Sequence, residues 1–155
     1  MENKIEAEYN KFCKKFKLPK FGEIDKEFEI SSLENERFLM RNILRKVAEK
    51  LEIYTEAIGN LVHPDASSLS SMYEIRFFND NEKNDMYKMF KKLMKTNREI
   101  VELLLDANEK KDAEFLNSFF IQWLNMKNDL KTYINKMKES WEKETTIEED
   151  IGYFG

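Results

Sequence analysis

From Ser31 to His63 the chain runs without a proline and with a single glycine, Gly59, while its apolar residues recur at helical spacing. Met40, Ile43, Leu44, Val47, Leu51, Tyr54, Ile58 and Leu61 form a seam close to a heptad rhythm. Two later stretches repeat the pattern. Met86, Met89, Phe90, Leu93, Asn97, Ile100 and Leu104 mark a helix expected from about Asn81 to Ala107. Leu116, Phe119, Phe120, Trp123, Met126, Leu130, Tyr133, Met137 and Trp141 mark another from Ala113 to about Lys143. A shorter stripe (Ile5, Tyr9, Phe12, Cys13, Phe16) covers Glu2 to Phe16. The four glycines and two prolines in 155 residues supply too little turn chemistry for an all-β chain. The expected fold is therefore all-α: an antiparallel four-helix-type bundle with coiled-coil-like seams, three long helices, one shorter N-terminal helix and a short helix near 70–78.

Local signals set the expected boundaries. Ser31 followed by Glu34 reads as a capping box that opens the first long helix, and Pro64 ends it. Between Pro19 and Ser31 the run EIDKEFEI alternates weakly and reads as an extended connector. In the break at Asn108–Asp112, Asn108 suits a left-handed C-terminal position and Asp112 an N-cap. Residues 1–146 are expected to form a single domain. Residues 147–155 read as an acidic and aromatic tail, mobile unless Tyr153 and Phe154 are held.

Several function classes fall away. Cys13 stands alone, so no intrachain disulfide and no cysteine metal cage is available. The opening MENKIEAEY is charged and unlike a signal peptide, and no apolar run is long enough to span a bilayer, so a cytoplasmic location is expected. A net charge of −4 gives no general attraction to nucleic acid or anionic membrane. A di-metal bundle needs inward glutamates and paired Glu-x-x-His motifs, but the single histidine, His63, has Asn60 three residues before it. The long seams contain no Asp or Glu, which predicts a dry core. Neither a Gly-rich phosphate loop nor a nucleophile elbow is present. No catalytic residue, metal ligand or cofactor is assigned, and the expectation is a protein that is not an enzyme.

Recognition remains. Around the last break the apolar residues wrap more of each helix than one packed face requires, which makes Leu103, Leu105, Phe115, Phe119 and Phe120 a candidate interaction surface. It would serve a second copy or another protein partner. A basic block, Lys88, Lys91, Lys92, Lys95 and Arg98, is interleaved with Met and Phe. Together with the ladder Arg37, Arg41, Arg45 it forms a candidate polyanion surface, so nucleic-acid binding is the alternative reading. Asn97, on the seam between Leu93 and Ile100, is a candidate register-setting polar residue. Finally, His63-Pro64-Asp65 after a helix resembles the HPD loop of J-domain co-chaperones. That resemblance implies a chaperone-linked adaptor acting through His63 and Asp65. The local reading is a helix stop, with His complementing the dipole, Pro ending the helix and Asp opening the turn.

Overall fold

The computed structural model describes residues 3–144 together with 146 and 149. Glu2, Tyr153 and Phe154, and with them all of the expected tail but Glu149, lie outside the described residues. The fold is all-α, of the helical-bundle class, with no strand among the described residues. In chain order the helices are α1 Lys4–Phe16, α2 Phe21–Phe28, α3 Leu39–Val62, α4 Leu69–Ile75, α5 Asp80–Leu103 and α6 Glu109–Ser140. A 3-10 turn, Ile30–Ser32, follows α2. The chain divides into two compact units: Met1–Ile53 with Lys95–Asn125, and Tyr54–Met94 with Met126–Gly155. Helices α3, α5 and α6 contribute residues to both.

In the first unit, the expected connector contains a helix. Helix α2 begins after Pro19, with the backbone N–H of Lys20 donating to the Glu23 carboxylate at 2.9 Å. It buries Ile24, Glu27 and Phe28 and ends at Glu29, which adopts φ 52° and donates to the Asp25 carbonyl. The expected capping box at Ser31 and Glu34 does not form. Ser31 and Ser32 lie in the 3-10 turn, Asn35 accepts the Arg37 N–H at 3.0 Å, and Phe38 takes a left-handed φ of 51°. A left-handed residue cannot lie inside an α-helix, so α3 starts only at Leu39. Its inner face then follows the expected seam: Met40, Ile43, Leu44, Val47 and Leu51 are all buried. Helix α1 is tied in by the Tyr9 hydroxyl donating to the Pro19 carbonyl at 2.8 Å. Asn117 on α6 donates to the carbonyl of Phe16 at 3.0 Å, which satisfies an orphan acceptor at the α1 C-terminus.

The core of this unit is not free of acid. Glu27 is buried with its carboxylate accepting the Trp123 indole N–H at 2.8 Å, and the Lys50 ammonium donates to the Glu27 carbonyl. Trp123, 1% exposed, packs against Phe28 and Phe119. Asp112 is the second buried carboxylate, and neither role expected at the α5–α6 break is kept. Asn108 is the N-cap, its side chain accepting the Lys111 N–H at 3.1 Å, and Asp112 lies inside the first turns of α6. Either residue type suits that position, and Asn108 is the one that leaves the break short enough for α6 to begin at Glu109.

In the second unit, α5 opens with a reciprocal cap. The Asn79 side chain accepts the Glu82 N–H at 2.8 Å while Glu82 accepts the Asn79 N–H at 3.2 Å. Glu82 also receives the Lys136 ammonium on both oxygens, at 2.7 and 2.6 Å, and these bonds hold its carboxyl below the usual range. Gly59 is required by close approach: a Cβ there would lie 2.9 Å from Cε2 of Phe90. Helix α4 is capped by Ser68 and buries Tyr73 and Ile75. The Tyr73 hydroxyl donates to the Ser140 carbonyl at 2.6 Å, and its ring stacks on Trp141. The Met86, Met89 and Leu93 seam of α5 is buried as expected.

Candidate functional site

The apolar residues expected to lie open at the α5–α6 end divide sharply. Phe119 and Phe120 are buried, and Leu103 and Phe115 are half-buried, whereas Leu105 is 78% exposed. Phe119 is covered by α2, whose Phe28 ring lies 5.9 Å from it, and Phe115 stacks on Phe119 at 5.6 Å. The candidate surface built on Phe119 and Phe120 is thus corrected, because those rings belong to the core of the first unit.

Besides Leu105, a further exposed set lies on the opposite side of α6. Ser118, Ile121, Gln122, Leu124 and Asn125 are exposed, Ile121 to 68%. Residues three and four apart share a helix face, so Ser118, Ile121, Gln122 and Asn125 form one strip with Leu124 at its edge. The strip carries no charge. From Phe115 to Met126 there is no Asp, Glu, Lys or Arg, in a chain where 36% of residues are charged. That run is the sequence signal for the strip, and apolar periodicity does not register it because Ser, Gln and Asn are polar.

The cationic candidates are drawn into local structure to different degrees. Arg41 does not face solvent in a ladder with Arg37 and Arg45. Its guanidinium donates to the carbonyls of Leu103, Leu104 and Asp106 at 3.4, 2.5 and 3.1 Å, closing the C-terminal end of α5. Arg45 donates to Asn42 at 2.8 Å, and Arg37 precedes α3 altogether. The ladder required an unbroken helix from Ser31, and Phe38 breaks it. The five basic residues of the Lys88–Arg98 block are exposed on α5, but Lys88 lies 3.9 Å from Asp85 and Lys95 3.7 Å from Glu99, while Arg98 donates to Asn97. Asn97 is half-buried. The seam position beside it belongs to Thr96, 7% exposed, so the register role expected of Asn97 has no buried amide to carry it.

Arg41 bears on Asp112, whose two carboxylate oxygens are buried without a hydrogen-bond partner among the described residues. Burial pushes the Asp112 carboxyl up from its ordinary 3.8, Arg41 opposes this and Glu109 adds to it. A folded-state value above the unfolded one means that the native chain binds this proton more tightly. The favourable contribution is complete below 3.8 and is lost as pH rises through the raised value. The advantage of Asp112→Asn over the parent in melting temperature is therefore expected to grow across that window and level off above it. A constant difference at every pH would show that the carboxyl does not titrate abnormally.

His63 and Asp65 are both exposed at the end of α3, as a helix stop requires. The His63 ring meets Tyr87 edge-on at 5.8 Å and Phe90 at 6.2 Å. Asp65 accepts the Ser67 N–H at 2.8 Å, which holds its carboxyl below the usual range and forms the turn into α4. Beside this loop lies a cleft of about 400 Å³. Among the described residues no three His, Cys, Asp or Glu side chains are grouped so as to hold a metal ion, and no helix is long and apolar enough to cross a membrane. No family model, curated protein or solved structure matches the chain.

Proposed function

We propose that the chain is a non-enzymatic protein-interaction module that assembles with a second copy of itself through the outer strip of α6. The observation that carries this reading is the absence of charge on an exposed helix face in an otherwise densely charged chain. A two-fold interface sets each patch against its own copy, so any charged residue near its centre meets a like charge. A strip of Ser118, Ile121, Gln122 and Asn125 avoids that repulsion. It offers one apolar side chain for burial, and amides that can both donate and accept hydrogen bonds across the axis.

Size exclusion coupled to light scattering tests the proposal. The parent is expected to show a concentration-dependent shift toward twice the monomer mass. Ile121→Lys places two ammonium groups at the axis and should weaken association at least tenfold, about the least that a several-kcal/mol like-charge penalty allows. A strictly monomeric parent at high concentration, or an Ile121→Lys variant that associates as well as the parent, would reject it. The polyanion reading has less support, because Arg41 is spent on carbonyls and two of the α5 lysines have acidic neighbours.

A further inference from the structure

We propose that the cleft beside His63 binds a small anionic amphiphile, a carboxylate carried on an apolar body. The cleft lies wholly in the second unit. Leu61, Val62, Pro64 and Ile75 are its apolar lining, and His63, Lys83, Asn84 and Tyr87 supply the polar groups. Its volume of about 400 Å³ falls in the lower range of small-molecule sites, which are mostly apolar with a few placed polar groups.

The charge of the lining selects the ligand class. No Asp or Glu is among the lining residues. The Lys83 ammonium has no ion-pair or hydrogen-bond partner among the described residues, although the preceding Glu82 is bound by Lys136. The Lys91 ammonium stands 5.6 Å from the Tyr87 ring centroid and adds positive potential on that wall. The nearby loop carboxylate, Asp65, is occupied by the Ser67 N–H. A carboxylate set against Lys83, with its apolar body over Leu61 and Ile75, satisfies the unpaired cation and removes apolar surface from water together. A neutral amphiphile supplies only the second gain, and a cationic one is repelled. The edge-on packing of His63 against Tyr87 and Phe90 holds one rim of the cleft in place.

Octanoate is the probe, titrated into the full chain and followed by methyl and amide resonances. Binding is expected to saturate, with shifts concentrated at Leu61, Ile75 and Tyr87. Octanol should bind more weakly and octylammonium not at all. Lys83→Met should weaken octanoate by about tenfold, the loss of one charge-assisted hydrogen bond. Asn84→Trp, at an exposed rim position, should block binding while far-UV circular dichroism stays unchanged. Equal affinity for octanol and octanoate, or an affinity unmoved by Lys83→Met, overturns the anion-selective site. Absence of saturation below the micelle-forming concentration of octanoate overturns the site altogether.

Discussion

Trp123→Ala is expected to lower the stability of the fold by about 3–5 kcal/mol, a large share of the roughly 5–15 kcal/mol that holds a domain together. The ring is 1% exposed and fills the space beside Phe28 and Phe119, so its removal leaves a cavity bounded by aromatic rings that cannot collapse freely. It also takes away the N–H that reaches the buried Glu27 carboxylate at 2.8 Å. Trp123→Phe separates the two losses. Most of the ring contact survives, and the missing donor should cost about 1–3 kcal/mol. Urea unfolding followed by far-UV circular dichroism reads both variants. A phenylalanine variant as damaged as the alanine one would show that the indole N–H, rather than the packed volume, is what matters. A loss below about 1 kcal/mol for alanine would contradict the packing described.

The second large effect is expected from Arg41→Met, at about 2–4 kcal/mol. The guanidinium is partly exposed, so water can replace some of its bonds to the carbonyls of Leu103, Leu104 and Asp106. Water is a poorer substitute for its charge beside the buried Asp112. The two contributions come apart in a double-mutant cycle. If the charge matters, Arg41→Met costs less in an Asp112→Asn background, and the coupling exceeds the roughly 0.5 kcal/mol scatter of independent sites. Strict additivity would mean that Arg41 acts on the helix end alone.

Both sites turn on features that the sequence discloses unevenly. The long seams of α3, α5 and α6 are legible because each repeats over many turns, and most of the residues the spacing picks out are buried, although Thr96 takes the place of Asn97 and Trp141, at the end of the α6 seam, is 56% exposed. Helix α2 was not legible. Eight residues with Phe21, Ile24 and Phe28 on one side also contain the alternation E-I-D-K-E-F-E-I, and two turns are too few to separate the periods. Several other features of the first unit depend on that helix. Without α2 the Phe28 ring that packs on Phe119 is absent, and so is the Glu27 carboxylate that accepts the Trp123 indole N–H. The start of α3 differs from expectation for a separate reason, since Ser31 and Glu34 have the chemistry of a capping box, and the left-handed Phe38 places the helix start later. The cleft was half legible. His63 stood out as the single histidine, whereas Lys83 and Tyr87 join it only through the packing of α3 against α5.

The bond between Glu27 and Trp123 joins residues 96 positions apart. On a ribosome adding about 5–20 residues each second, α2 therefore emerges some 5–20 s before its indole partner exists. During that interval Ile24 and Phe28 have α1 beside them but not the aromatic rings that complete their burial. The N-terminal segment is thus synthesised as an open half of a core, exposed to chaperones and to neighbouring nascent chains until α6 has been made. A slower elongation rate lengthens that exposure in direct proportion, with no change in the stability of the finished fold.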